Sequence, residues 1–291
     1  MKKEKPPFNF SGLEKKYSDP ESSSIVILPV PFDRTSTWRR GARKGPRAII
    51  EASRHMELYD IETGSEVYRK GIHTQRGIKA LTPEGIVSKV YRKVMGLLDN
   101  KKFVVVLGGE HTVSIGGIRA FAEAYDDLSV LHLDAHTDLR DSYEGSRLSH
   151  ACVMARVREM IPDTVSVGIR STDSSELNIL DPEKVFYAEE MIGSNVWIER
   201  VIKMLKSNVY ITIDLDVFDP GIIPSTGTPE PGGLNWYQVT GLLKEVSIRR
   251  NVVGFDVVEL CPSENIAPDF LAAKLIYKLL SYVFNSKASG M

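Results

Sequence analysis

The chain has 291 residues, 42% of them hydrophobic and 26% charged, with a formal net charge of −1. That length suits one large domain or two small ones, and the near-neutral balance gives no reason to expect nucleic acid or a membrane as partner. Two cysteines, Cys152 and Cys261, are too few for a disulfide framework, and the Met-Lys-Lys-Glu-Lys start lacks the apolar core of a signal peptide, so a cytoplasmic protein is expected.

Residues 1–24 are polar, with Pro6, Pro7 and Pro20, and predict an arm ahead of a single domain over 25–291. Ile25–Phe32 reads as a short buried strand ended by prolines. A loop with Arg39, Arg40, Gly41 and Gly45 leads to Pro46 at a first helical position and a helix over Arg47–Glu57. Residues 58–82 are mixed, with Gly71 and His73 assigned to loop. Pro83–Asp99 predicts a helix with Ile86, Val90, Val94, Leu97 and Leu98 as its apolar set.

Phe103–Leu107 is a buried strand broken at Gly108-Gly109-Glu110-His111, and a helix follows from about Val113 to Tyr125. Val130-Leu-His-Leu-Asp134-Ala-His136-Thr-Asp138 opens as an apolar strand and ends in two acids and an imidazole. A polar loop to Ser149, a helix over Ala151–Met160, strands at Val165–Ile169 and Val185–Tyr187, and a helix over Val196–Leu205 come next. Val209–Val217 is a second strand tipped by acids, here Asp214 and Asp216. A Pro/Gly loop from Pro220 to Gly233 precedes helix Trp236–Val246, the last strand Val252–Leu260 carries Glu259, and Pro268–Phe284 closes the chain as a helix.

The strands are near-continuous apolar runs with helices between them, the pattern of an α/β chain whose mostly parallel sheet is covered on both faces. Ligands of such sheets bind outside the carboxyl ends of the strands. His111, Asp134 to Asp138, Asp214, Asp216 and Glu259 all fall at those ends. In extended backbone, side chains two residues apart point the same way. Four carboxylates gathered there would repel, and burial would push some toward the neutral form unless cations compensate.

His111, Asp134, His136, Asp138, Asp214 and Asp216 are therefore candidate metal ligands. Six exceeds the roughly three protein ligands of a catalytic zinc. Two divalent cations would nearly balance four carboxylates, and oxygen and imidazole donors without thiolate suit manganese, cobalt or magnesium. Taken singly, a His after a Gly-Gly turn is more often structural, and an Asp-x-Asp is more often a solvated turn. Three such pieces, each following an apolar strand, favour metal. His132 lies inside its strand and reads as a core or supporting residue; His55 and His73 belong to no motif.

Gly108-Gly-Glu-His111, Asp134-Ala-His-Thr-Asp138, Ser149-His150, Asp214-Leu-Asp-Val-Phe-Asp-Pro220 and Gly227-Thr-Pro-Glu-Pro-Gly-Gly233 resemble, in order and context, the motifs of the ureohydrolases, the arginase and agmatinase family. The resemblance covers about residues 25–284. It implies a three-layer α/β/α arginase-like fold, two Mn2+ per chain with Co2+ or another divalent ion as substitute, a small guanidino substrate cleaved to urea and an amine, and a homo-oligomer, trimer or hexamer. Pro31–Pro46, Arg140-Asp141 and Ser149-His-Ala-Cys-Val-Met154 look agmatinase-like. Arginases typically place Asn at the position of Arg140 and Gly at that of Ala151. Agmatine, giving putrescine, is the expected substrate, with arginine and guanidino acids such as guanidinobutyrate or guanidinopropionate as alternatives.

The resemblance also implies catalytic roles. Asp138 would handle the proton of the attacking hydroxide, Glu259 would pair with the guanidinium N–H groups, and His150, with an ordinary histidine pKa, would pass a proton to the departing amine. Cys152 is expected to be a small buried residue, not a nucleophile. A zinc-dependent deacetylase on the same fold would typically carry adjacent histidines, and this chain has none. A non-catalytic protein on the fold would have lost ligands, and none is lost.

Overall fold

The structure, a computed structural model, describes residues 6–289. Among them, eight strands form one parallel sheet: β1 Ile25–Val30, β2 Ile72–Thr74, β3 Phe103–Gly108, β4 Leu128–Leu133, β5 Thr164–Ile169, β6 Val185–Tyr187, β7 Asn208–Asp214 and β8 Asn251–Val258. Their spatial order is β2-β1-β3-β8-β7-β4-β5-β6. The helices are α1 Lys15–Ser18, α2 Gly45–Ser53, α3 Pro83–Asp99, α4 Thr112–Ala124, α5 Val153–Met160, α6 Val196–Met204, α7 Trp236–Arg249 and α8 Ala267–Ser289.

Alternate residues of one doubly buried strand feed two separate cores. Ile25 and Ile27 of β1, with Phe103, Val105 and Leu107 of β3, pack with α2, α6, α7 and α8. Val26, Leu28, Val104 and Val106 pack on the other face with α3, α4 and α5. The result is three layers, helices on both sides of the sheet. Each such Val, Ile or Leu taken from water contributes about 1.5–3 kcal/mol, which is why the strands are apolar throughout. Helices α3 and α4 meet closely at Gly116, where an added Cβ would lie 2.3 Å from the Val87 carbonyl oxygen.

Several boundaries differ from those expected. Helix α2 ends at Ser53, and β4 and β7 stop at Leu133 and Asp214, so Asp138 and Asp216 lie beyond the strands. His73, expected in loop, sits in edge strand β2, which is only three residues long and pairs with β1 alone. The first five residues of the expected arm lie outside the described residues. Of its remainder, Phe10 is wholly buried, and its N–H donates to Thr74 Oγ1 at 2.8 Å. Among the described residues, no helix is long and apolar enough to cross a membrane.

Candidate metal centre and active site

The sheet order explains where the site forms. Strands β3, β8, β7 and β4 are consecutive neighbours, and their carboxyl ends lead into His111, Glu259, Asp214 with Asp216, and Asp134 to Asp138. Turns complete the convergence. Asp216 lies in a 3-10 turn over Leu215–Val217, where its N–H donates to Asp214 Oδ1 at 2.9 Å and its own Oδ1 accepts from Ala135 N at 3.0 Å. Asp138 and Glu259 adopt left-handed backbone, φ +51° and +65°. The expected alternation of an extended strand therefore does not account for Asp138; a turn aims it.

His111, Asp134, Asp138, Asp214, Asp216 and Glu259 are buried, and His136 is partly open to the cleft. His111 Nδ1 lies 3.0 Å from Asp138 Oδ2, 3.2 Å from Asp134 Oδ2 and 3.6 Å from Asp214 Oδ2. His136 Nδ1 lies 3.0 Å from Asp216 Oδ2 and 3.5 Å from Asp134 Oδ1. Asp134 thus belongs to both groups, and all six expected ligands come together. His132 is engaged at both ring nitrogens, Nε2 2.8 Å from Asp134 Oδ2 and Nδ1 3.1 Å from Ser166 Oγ.

The donor set fits divalent cations on two counts. First, His111 Nδ1 is buried and makes no hydrogen bond, although three carboxylate oxygens surround it; its other nitrogen is taken by Thr212 Oγ1 at 2.9 Å. Second, the acids lack enough positive charge. Burial, then the negative charges of Asp216, Asp134 and Glu259, pushes Asp214 well above the usual carboxylate range. Glu259 is likewise pushed far up by burial and by Glu110, and Asp138 is raised by burial and Asp134. Burial also opposes the charged forms of Asp134 and His136. The imidazoles of His132, His111 and His136 nevertheless hold Asp134 low, and Asp216 and Asp134 lift His136 to about 12. Divalent cations held by these side chains would supply the missing positive charge.

The cluster floors a cleft of about 250 Å3 whose walls include Trp38, Arg140, Tyr143, His150 and Glu176. Glu259 Oε1 accepts from the His111 N–H at 2.8 Å. His150 does not keep an ordinary pKa: burial, then the charges of His136 and His111, brings it down to about 4. Cys152 is buried, and its thiol is pushed up to about 11 by burial and Asp138. This leaves it unreactive at neutral pH.

Sequence reasoning assigned no role to three supporting residues. Glu110 is a wholly buried acid in the His111 turn. Glu176 is a buried acid of the cleft wall, bonded to Thr137 Oγ1, Thr172 Oγ1 and the Asp173 and Leu139 N–H groups. Arg170 clamps the Pro/Gly loop by donating to the carbonyls of Asp216 and Glu230, both at 2.7 Å. Glu110 and Arg170 signal themselves only as charges just beyond apolar strands, and Glu176, in a 3-10 turn of a polar loop, gives no signal.

A profile of the Arginase family matches residues 23–281. The chain belongs to the arginase family. It is 35% identical over 294 residues to the N(1)-aminopropylagmatine ureohydrolase of Synechocystis sp., covering 95% of this chain and 96% of that protein. To the N(1)-aminopropylagmatine ureohydrolase of Thermus thermophilus it is 36% identical over 263 residues, covering 88% and 89%. The crystal structure of the agmatine ureohydrolase of Thermoplasma volcanium superposes with a TM-score of 0.86 at 30% identity, covering 98% of this chain and 97% of that one. As an arginase-family protein it is a ureohydrolase, a hydrolase of small guanidino compounds, and its eight-stranded parallel sheet between helix layers is the arginase fold.

Proposed function

We propose that the chain hydrolyses the guanidino group of an aliphatic guanidino amine, N(1)-aminopropylagmatine or agmatine, to urea and the corresponding polyamine. The observation that carries the reading is the orphaned His111 Nδ1 among three acids at the floor of the cleft. The printed names of the relatives support the amine class, and N(1)-aminopropylagmatine joins agmatine as the compound to test first. The oligomeric state expected from the resemblance, trimer or hexamer, belongs to the same proposal.

His111, Asp134, Asp138 and Asp214 would hold one cation, and Asp134, His136 and Asp216 a second, with Asp134 common to both. Manganese is the metal we propose, because oxygen and neutral imidazole donors without thiolate suit it. When bound, such a pair supplies Lewis-acid activation of water for attack on the guanidino carbon, a poor electrophile. The remaining work falls to the chain. Glu259 pairs with the guanidinium N–H groups and so fixes the carbon over the acid cluster. Asp138 accepts the proton of the attacking water. His150, neutral above about pH 4, takes a proton within the cleft and returns it to the departing amine. Tyr143, edge-on to His150 with ring centroids 5.9 Å apart, narrows the cleft around that histidine.

The test is urea release from manganese-loaded protein offered N(1)-aminopropylagmatine, agmatine, arginine and guanidinobutyrate. Turnover of the two amines well above the two acids is the expected result. Urea from arginine or guanidinobutyrate alone would overturn the substrate class, and no urea from any of them would overturn the reading.

A further inference from the structure

Glu110 is the member of the Gly108–His111 turn that the chemistry above leaves unused. Its carboxylate is wholly buried, and it is occupied by the loop at the cleft mouth. Oε2 accepts from Thr35 N at 2.7 Å, Ser36 N at 2.8 Å and Ser36 Oγ at 3.1 Å, and Oε1 accepts from Thr35 Oγ1 at 2.7 Å. A buried carboxylate with four donors is costly to disturb, because any lost donor leaves charge uncompensated.

The loop held in this way reaches His150. Thr35 Oγ1, having given its proton to Glu110, accepts from the His150 N–H at 3.0 Å and lies 3.4 Å from Nδ1. Thr37 Oγ1 lies 3.5 Å from Nε2. Both ring nitrogens of His150 therefore meet hydroxyls of one loop, and that loop is pegged on one acid. The peg itself has no slack. Glu110 N donates to Phe32 O at 2.8 Å and Gly109 N to Val30 O at 3.0 Å. A Cβ on Gly109 would fall 1.9 Å from Phe32 O, so only glycine lets the turn approach this closely.

We infer that Glu110 is a positioning residue: it fixes the mouth loop over residues 33–41 and, through Thr35, the ring of His150. One turn thereby presents His111 to the acid cluster and Glu110 to the loop that orients the proton-carrying imidazole. The inference rests on the role proposed for His150.

The test uses the full chain loaded with manganese. Glu110→Gln keeps the size of the side chain but turns an amide N–H against the loop donors. The expected result is unchanged metal content, little change in KM, kcat lower by roughly 10²-fold, the scale of a small misplacement of a reacting group, and faster tryptic cutting at Arg39 and Arg40, both exposed. Thr35→Val removes the hydroxyl link to His150 and one of the four donors to Glu110 but keeps both backbone N–H bonds to the peg; it should lower kcat with less gain in cutting rate than Glu110→Gln, and Thr35→Ser should restore turnover. Wild-type kcat and cutting rate in Glu110→Gln would overturn the inference. So would a loss of activity that merely follows lost metal, or wild-type kcat in Thr35→Val. If Glu110→Gln does not fold, the two Thr35 variants decide the matter. Proteolysis and metal content need no substrate, so an enzyme inactive on every guanidino compound would sink the proposed function while the cutting rates still judged the peg.

Discussion

His111 Nε2 and Thr212 Oγ1 lie 2.9 Å apart inside the sheet. Thr212 Oγ1 is also 2.6 Å from Asp256 Oδ1, whose partner oxygen accepts from Tyr210 OH at 2.8 Å. Thr212 donates to Asp256, so its oxygen is free to accept from the His111 Nε2–H. Burial opposes charge on this ring, but Asp134 and Asp138 raise its pKa well above the usual histidine value; with the Nε2 proton held by Thr212, Nδ1 is the atom a cation would take in place of a proton. Thr212→Val should weaken manganese binding by roughly 10–100-fold, measured by competition with a chelator, and Thr212→Ser should retain it. Unaltered affinity in the valine variant would dismiss this chain of bonds.

Asp216 holds two things at once, the His136 side of the cluster and the Ala135 N–H. Asp216→Ala should drop manganese from two ions per chain toward one, with the fold retained by circular dichroism. Elemental analysis that still finds two ions would remove Asp216 from the ligand set.

Replacing His150 with alanine should leave metal content intact and lower turnover by about 10² or more, the usual scale of general acid–base help. The pH profile has a definite sign. Burial and neighbouring positive charge place the ring near 4, so it is neutral and able to take a proton from mildly acidic pH upward. Cations held by the acids would act in the same direction. The acid limb of kcat/KM caused by His150 should therefore lie well below the ordinary histidine value. An unchanged acid limb in His150→Gln would show that another group sets it.

Acid stability should trace to a cluster far from the cleft. Burial alone would raise Glu62, but Lys278 at 2.7 Å, Tyr282 at 2.6 Å and Lys244 at 2.9 Å overcome it and lower its pKa to about 2. A depressed acid adds stability above its ordinary pKa near 4.5, and that stability drains away as pH falls toward 2. The side chain is 39% exposed, so screening limits the effect to no more than about 1 kcal/mol. Glu62→Gln should lower the Tm at pH 6, with the gap to wild type closing below pH 4.5. A gap independent of pH would exclude the linkage.

How much could be read from residues alone followed burial. Strands covered on both faces are continuous apolar runs, so β3, β6 and β7 begin within a residue of expectation. Helix α3 matches at both ends because Thr82 caps it, accepting from Gly85 N at 3.1 Å, with Pro83 in its first turn. Edge strand β2 escaped because only Ile72 of its three residues is apolar, whereas β6, an edge strand equally short, is legible as Val185-Phe-Tyr187. The cluster was legible through its residue types, but not the geometry that gathers it, since the turns at Asp138 and Asp216 obey no strand alternation. Glu110 and Thr35 escaped for a deeper reason. They are 75 residues apart, and their link exists only once β1 and β3 lie side by side.

The left-handed backbone at Asp138 and Glu259 bears on how variants there should be interpreted. An L-residue held in that region gives up about 1–2 kcal/mol, which the surrounding hydrogen bonds must outweigh, among them Asp138 O with Met154 N and Glu259 N with Gly109 O. Alanine at either place would remove the carboxylate and keep the torsional penalty, so lost activity and lost stability would arrive together. Asparagine at 138 tolerates the conformation and isolates the chemistry, whereas glycine at 259 would relieve the torsion yet strip the buried His111 N–H of its acceptor at 2.8 Å, so what that variant loses would not report on the carboxylate alone.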